Sequence, residues 1–381
     1  MIHRCGIVSK QVTNMEVKKN NRNRIFRYIR ERGTVSNPDI SYDLKISLPT
    51  VTQNTKELME RGLVKEIGER KSTGGRRAKA LTVAEDFRFA AGIDITRNHV
   101  SMMIINLTGE ILKYERMQLP YRAEDDYYRE VNRKLEQFLD GCIADKDRIL
   151  GVGISFPGIV DLQKQEITYS HALDVRALPF AKVSSFFPFP CSFFNDANAG
   201  AYAEGIQGKS PESFFYLSLS NTVGGAVFHR DELMQGGNFR CGEVGHMTIV
   251  PDGSRCYCGK NGCLDAYCSA KLLSDAAEGK LEHFFSSLNQ GDERYAGIWD
   301  KYTDCLALAV NNIHMVLDCD IVLGGYVGSY VEPYLSGIRC KVADRNTFEE
   351  SGFFVKACSY RLGAAALGAA LNVIEEFISL V

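Results

Sequence analysis

The chain has 381 residues, 45% of them hydrophobic and 24% charged, with a formal net charge of −2 and 12 cysteines. That length excludes one small core and predicts two or three folding units. No apolar run reaches the ~20 residues that span a bilayer, and the N-terminus lacks an apolar signal-peptide core, so a cytoplasmic protein with reduced or metal-bound thiols is expected, not a disulfide framework. The charge is unevenly placed. Residues 1–83 carry 18 Lys and Arg against 8 Asp and Glu, whereas 84–381 carry 27 against 39. A basic head on an acidic body points to a polyanionic partner for the head alone.

Residues 1–20 give no periodic signal and are read as an N-terminal extension. From Asn21, "NRNRIFRYIRERG" places Ile25, Phe26 and Ile29 on one helical face and arginines on the rest, with Gly33 as its stop. In "VSNPDISYDL", Ser36 caps a second helix, Asp39 completes a capping box, and Pro38 sits in the tolerant first turn. Ser47 caps a third helix, "LPTVTQNTKELMERG", ending at Gly62. Val51 and Leu58 face inward; Thr50, Thr52, Gln53 and Lys56 face out. Two short helices joined by a tight turn, the second polar near its start, predict a helix-turn-helix that enters the major groove of double-stranded DNA. Gln53 is the leading base-edge candidate, since its amide bonds two atoms of adenine. "LVKEIGERKSTGGRRAKALTV" predicts a hairpin wing with Arg76 and Arg77 at its tip, placed for phosphates or a narrow minor groove. Residues 21–83 are thus expected to form a winged helix-turn-helix, followed by a linker at 84–88 and a larger domain at 89–381.

The larger domain contains a repeat. "FAAGIDITRNHVSMMIINLTGEILKYERMQL", from Phe89, reads as three strands with turns at Thr96–Asn98 and Thr108–Gly109. "FFYLSLSNTVGGAVFHRDELMQGG" has the same cadence, with turns at Ser220–Thr222 and Arg230–Glu232. Two such units interleaved with helices predict a duplicated α/β fold with a ligand cleft between two lobes. "ILGVGISFPGIVD" is a buried-type strand that ends at Pro157–Gly158. "CSFFNDANAGAYAEG" is a strand running into a helix, with Asn195 and Asp196 at the junction. A carboxylate there lies at the positive end of the helix, which is expected to keep it ionised. It can accept a hydrogen bond from a hydroxyl or take its proton; the plainer reading is a helix cap.

"GEVGHMTIVPDGSRCYCGKNGCLDAYC" brings His246, Cys256, Cys258 and Cys263 close together. Three thiolates and an imidazole fill a tetrahedral Zn²⁺ site and leave no open position, so the site is structural. Cys241 and Cys268 rank below these four.

The winged helix-turn-helix, "SFPGIVD", "NDANAGAYAE", "GEVGHMTIVPDG" and "CYCGKNGCLDAY", in that order, closely resemble the ROK family (repressors, open reading frames, kinases) from about Asn21 to the C-terminus. The resemblance implies a duplicated hexokinase/actin-like (RNase H-like) α/β domain with two lobes. Members with a DNA-binding head are sugar-responsive transcriptional regulators; members without one are usually sugar kinases. By position, the family's zinc ligands fall on His246, Cys256, Cys258 and Cys263, and its sugar contacts on Asn195, Asp196, Glu243, His246 and Asp265. The family usually has Glu where Asp265 stands, one methylene longer. His246 belongs to both sets because one ring nitrogen can hold metal while the other faces sugar.

A kinase of this family needs Asp196 as base and glycine-rich turns whose N–H groups cradle ATP phosphates. The first turn, expected as D-x-G-G-T, reads "DITRN"; the second, expected near G-T-G-x-G-G, reads "NTVGG". Side chains there crowd phosphates and disfavour a positive-φ backbone. The expectation is a repressor-like homodimer without kinase activity, in which Asp196 is only a vestigial base. The alternatives are an active ATP-dependent sugar kinase and a regulator switched by a protein partner.

Overall fold

The computed structural model describes residues 14–69, 79–208 and 210–381. The predicted wing tip, with Arg76 and Arg77, lies outside the described residues. The chain divides into two compact units. One holds residues up to Phe89 together with Asn106–Glu110 and Ile374–Val381; the other holds Ala90–Ile105 and Ile111–Val373.

In the first unit, α1 (Asn14–Arg32) buries Ile25, Phe26 and Ile29. It starts before the expected Asn21, because residues 14–20 carry no apolar stripe from which a helix could be read. α2 (Asn37–Leu44) has the predicted capping box: Asp39 Oδ2 accepts from Ser36 N–H at 2.9 Å, and Ser36 Oγ accepts from Asp39 N–H at 3.5 Å. α3 (Leu48–Glu60) is capped by Ser47 and buries Val51, Asn54, Thr55 and Leu58. Thr55 is tolerated inside because its hydroxyl donates to the Val51 carbonyl at 3.0 Å. β1 (Val64–Glu69) and β2 (Lys79–Val83) form the antiparallel stem of the hairpin.

The last residues of the chain are part of this unit. Arg22 and Arg61 donate to the Val381 carbonyl at 2.6 and 2.9 Å, and Glu375 pairs with Arg27 at 3.0 Å and Arg30 at 2.5 Å. The Arg30 and Glu375 side chains are only 11% and 15% exposed, so this pair is poorly screened, whereas Arg27 is 41% exposed. Glu375→Ala is expected to weaken the unit by about 1–2 kcal/mol, since it strands a largely buried guanidinium. Amide exchange checks this: α1 should lose about tenfold in protection, and unchanged α1 protection would remove Glu375 as a support.

The second unit contains two five-stranded sheets with the same connectivity. In the first, β3 (Phe89–Ile95), β4 (His99–Asn106) and β5 (Ile111–Gln118) form a meander. α4 (Asp125–Asp140) then leads to β6 (Ile149–Phe156). A small antiparallel sheet follows, of β7 (Ile159–Asp161), β8 (Glu166–Ser170) and β9 (Val175–Pro179). α5 (Phe180–Ser184) leads to β10 (Cys191–Asn195), giving the order β10-β6-β3-β4-β5. α6 (Asp196–Gln207) crosses to the second meander, β11 (Ser213–Leu219), β12 (Val223–His229) and β13 (Glu232–Met234). Four helices follow: α7 (Asp265–Cys268), α8 (Ala270–Asp275), α9 (Leu281–Asn289) and the long α10 (Glu293–Leu317). Then come β14 (Asp320–Gly324), α11 (Gly325–Gly328), α12 (Leu335–Ala343), β15 (Val355–Ala357) and α13 (Ala364–Leu380). The second order, β13-β12-β11-β14-β15, repeats the first: a meander, with two strands added beside its first strand. This is the duplicated α/β fold expected from the repeat.

α6 and α13 meet through small residues. A Cβ added at Gly368 of α13 would lie 1.7 Å from the Ala199 carbonyl of α6. Alanine and glycine there let the backbones approach, and no larger residue fits. The core of the second lobe is fully apolar around Leu217, Leu306, Val310 and Leu323.

Candidate functional site

The strand-to-helix junction at β10 and α6 puts Asn195 and Asp196 at the floor of a cavity of about 460 Å³, which Glu243 and His246 also line. Asn195 is indeed a cap: its Oδ1 accepts from Asn198 N–H at 2.9 Å, while its Nδ2 donates to the Gly158 carbonyl at 2.8 Å. Capping and site-lining are therefore compatible in one residue. Glu243 and His246 arrive on a turn folded against β12. Gly242 there has φ +89°, and an added Cβ would sit 2.1 Å from the Gly225 carbonyl. Asp265 is not among the lining residues. It is buried, and its Oδ2 accepts from Val223 N–H at 2.6 Å, so it anchors the strand that forms the cavity wall.

Asp196 corrects one expectation. The helix end was expected to keep it ionised; instead burial, with the neighbouring charges of Asp94 and Glu243, pushes its pKa up to about 7, against the hydrogen bond it accepts from Ala197 N–H. Desolvation outweighs the helix terminus because the dipole acts weakly and burial penalises the whole charge. Burial likewise raises Glu243, and raises Asp94 and Asp265 to about 6. Of these carboxyls Asp196 alone is raised as far as about 7, so near neutrality it can donate as well as accept a hydrogen bond with a hydroxyl.

Sequence reasoning missed Arg240, Tyr169, His171 and Tyr257, which also line the cavity. His171 stacks on Tyr257 with ring centroids 4.1 Å apart. Tyr169 and His171 lie about 70 residues or more before Arg240 and Tyr257 in the sequence, and nothing in the local pattern marks the two pairs as neighbours.

The donor atoms of His246, Cys256, Cys258 and Cys263 all lie within 4.8 Å of one another. Cys258 Sγ is 3.7 Å from Cys263 Sγ, and Cys256 Sγ is 4.0 Å from His246 Nδ1. A tetrahedral zinc ion with ~2.3 Å Zn–S bonds requires sulfurs about 3.8 Å apart, so the donor set fits such an ion and no disulfide. His246 Nε2 faces the other way, 3.5 Å from the Tyr257 hydroxyl. One imidazole thus belongs to both the thiol cluster and the cavity. Cys268, the lower-ranked candidate, is buried and directs its thiol to the Tyr302 carbonyl.

Beside Asp196 a second, smaller cavity of about 80 Å³ extends between the β3–β4 and β11–β12 turns. Each water needs ~10–15 Å³ of such space, so it takes about half a dozen, far short of the ~300 Å³ or more of drug-sized ligand sites. Neither turn contains a left-handed residue. Thr96 closes the first on itself: its N–H and hydroxyl both donate to the His99 carbonyl, at 2.9 Å each. The Thr96 N–H is therefore not available to a phosphate.

On the head, Thr52, Gln53 and Lys56 of α3 are exposed and Thr50 is half-buried. The Thr50 hydroxyl meets Ser47 Oγ at 2.8 Å, and Thr52 donates to the Leu48 carbonyl at 2.9 Å. Lys56 lies 3.8 Å from Glu60. Gln53 Nε2 donates to Glu57 at 3.3 Å, and Glu57 in turn pairs with Arg22 at 2.7 Å. The Arg22 hydrogen bond holds the Glu57 carboxyl below its usual range. Glu57 was missed from sequence because a carboxylate on a DNA-reading face is unexpected; Arg22 offsets its charge.

Comparison with known proteins agrees with this geometry. Residues 19–65 match a model described as winged helix-turn-helix DNA-binding. The chain is 26% identical over 378 residues to the xylose repressor of Bacillus spizizenii, covering 96% of this chain and 97% of the relative. It is 26% identical over 281 residues to the DNA-binding transcriptional dual regulator NagC of Escherichia coli K12, covering 73% and 69%. Its fold is similar to that of a crystallised ROK family transcriptional regulator, a homologue of E. coli MLC protein, with a TM-score of 0.77 and 20% identity over 95% of this chain and 97% of that one. It is also similar to a ROK glucokinase from Streptomyces griseus in complex with glucose and AMPPNP, with a TM-score of 0.64 and 23% identity over 74% and 98%. Residues 90–376 match the ROK family model, and with a DNA-binding head in front of that domain, the chain belongs to the ROK family.

Proposed function

We propose that this protein is a sugar-responsive, DNA-binding regulator of transcription, acting as a repressor of carbohydrate-metabolism genes. The observation that carries the reading is the pairing of an outward-facing polar α3 with a cavity in which Asn195, Asp196, Glu243 and His246 converge. The sugar binds through those four side chains, with Asp265 acting through Val223. Zn²⁺ on His246, Cys256, Cys258 and Cys263 supplies no chemistry; it fixes the turn that carries Glu243 and His246. The DNA-binding domain runs from α1, at Asn14, to residue 83 and takes in the chain's last residues, Ile374–Val381; 84–88 is the linker and the sensor ends at Val373. Thr50, Thr52, Gln53 and Lys56 contact the major groove, and Arg76 and Arg77 the flanking backbone or minor groove. The protein works in the cytoplasm as a homodimer, because paired helix-turn-helix heads read half-sites one or more helical turns apart. Sugar releases the operator by binding better to the arrangement in which the heads miss that spacing.

The relatives named as repressors support this reading, and the small cavity beside Asp196 argues against bound ATP. One observation favours a kinase: a carboxyl titrating near pH 7 in the cavity is suited to general-base work. The experiment that decides is a binding assay with operator fragments from an enriched DNA library, run with and without a panel of pentoses and hexoses and paired with an ATP-turnover assay. The regulator reading expects DNA release by at least one sugar and no sugar-dependent ATP turnover; robust turnover would sink it. In the same assay Gln53→Ala is expected to cost about 1–3 kcal/mol at one base position. An unaltered base preference would remove Gln53 from the reading set.

A further inference from the structure

Gln53, the leading base-edge reader of α3, does not hang free. It lies one turn before Glu57, and residues four apart share a helix face. Gln53 Nε2 donates to Glu57 Oε1 at 3.3 Å, and Arg22 Nη1 donates to Glu57 Oε2 at 2.7 Å, so each carboxylate oxygen has a partner. Arg22 is fixed in turn, because its Nε donates to the Val381 carbonyl at 2.6 Å. The Arg22 side chain is 13% exposed and that of Glu57 32%, so the pair is partly shielded from salt, whereas Gln53 is exposed. The Arg22 hydrogen bond holds the Glu57 carboxyl below its usual range, so near neutrality it is ionised and can only accept. That fixes which end of the Gln53 amide faces Glu57: the nitrogen, never the oxygen.

We propose that Glu57 makes Gln53 discriminate adenine from guanine by occupying one of its two amide hydrogens. This deepens the DNA-reading part of the proposed function and rests on it. Hydrogen-bond valence decides the outcome. A glutamine amide carries two N–H donors and one carbonyl acceptor. With one N–H given to Glu57, the edge left for the major groove is one donor and one acceptor. Adenine presents there its N7 acceptor beside its N6 donor, the complement of that edge; guanine presents two acceptors, N7 and O6, and needs two donors. A glutamine with both hydrogens free can serve either purine by turning. Glu57 itself touches no base, since both its oxygens are engaged; it is a positioning residue, and Arg22 holds it in place. A carboxylate beside the groove weakens attraction to every sequence alike. Its presence on this face is therefore accounted for by selectivity, not by affinity.

The test starts from the site that the full chain enriches from a random DNA library. The position read by Gln53 is the one whose base preference Gln53→Ala removes. There, exchange of A·T for G·C should cost the wild type about tenfold or more in affinity. In Glu57→Gln, which keeps the side chain's shape, Arg22 holds the new amide's oxygen, and the new nitrogen faces Gln53. The Gln53 oxygen must then turn toward it. Both Gln53 hydrogens are released to the groove, and the adenine preference should fall to parity or reverse toward guanine. Glu57→Ala should lower the preference too, by less, because it leaves the amide unpinned. Loss of the negative charge alone would strengthen binding to both sites equally, so the ratio of the two affinities separates positioning from charge. Thermal melts confirm folding, and Glu57→Ala decides should the isosteric variant not fold. A ratio unchanged from wild type, at a position whose preference Gln53→Ala does remove, overturns the proposal and leaves the DNA-reading assignment standing. So does an enriched site with guanine at that position. Base preferences that all survive Gln53→Ala overturn the assignment of Gln53 and this proposal together, and failure to enrich any DNA overturns the regulator reading as well.

Discussion

Asp196→Asn is expected to weaken sugar binding about 10–100-fold while making the sugar-free protein more stable at pH 8. The first effect, read at pH 8 where the carboxyl is ionised, follows from losing a charge-assisted hydrogen bond to a hydroxyl, worth roughly 1.5–3 kcal/mol. The second follows from linkage. The Asp196 carboxyl is raised from 3.8 to about 7, so the folded state binds its proton over a range in which the unfolded chain releases it. A raised carboxyl favours folding at low pH, and that advantage is lost as pH rises through about 7. At pH 8 the wild type carries a buried charge that Asn lacks, a difference of roughly 4 kcal/mol at most. At pH 5 the folded carboxyl is neutral but the unfolded one is already ionised, so roughly 1.6 kcal/mol of the difference remains, and it vanishes only below about pH 3.8. Melting temperatures of both proteins from pH 3 to 8 check this: the curves should meet at the acid end and diverge between about 4 and 7, with the gap levelling off above neutrality. Parallel curves would show that burial does not govern Asp196, and unchanged sugar affinity would take it out of the cavity. Some slope should remain in the variant, because Asp94, Glu243 and Asp265 are raised as well.

Cys258→Ser is expected to take bound zinc from about one ion per chain to near none, since a serine hydroxyl is not deprotonated as a thiol is on binding the ion. Cys258 is exposed, so its loss opens no core cavity, and any effect must run through the metal. Without the ion, His246 has no anchor on its Nδ1 side and the Gly242–Cys268 segment should lose amide protection. Sugar affinity should fall with it, because Glu243 and His246 ride on that segment. Operator binding by the head should persist. Elemental analysis of the purified variant decides: a full complement of zinc would remove Cys258 from the ligand set.

Much of this molecule could be read before folding. Helix caps at Ser36 and Ser47, the apolar face of Ile25, Phe26 and Ile29, and the doubled meander all rest on short-range patterns with periods of 3.6 or 2, and the structure forms each of them. The four metal-ligand candidates were visible for the same reason: they lie within one short loop whose glycines permit tight turns. The start of α1 at Asn14 was not visible, because residues 14–20 show no apolar periodicity in the sequence.

The ionisation of Asp196 depended on packing. Sequence placed it at a helix N-terminus, but its burial and its proximity to Asp94 and Glu243 come from strands and turns remote in the chain. The same holds for Asp265, turned away to Val223, and for the meeting of His171 with Tyr257. Arg116 gives the clearest contrast: on an exposed-looking strand it reads as an ordinary surface cation, and only closure of the two sheets makes it part of a cavity. Local order is set by steric and hydrogen-bond preferences within a few residues, which the sequence alone determined. Charge state, cavity size and side-chain convergence are set by desolvation and by which distant surfaces are pressed together, and only the tertiary structure could decide them.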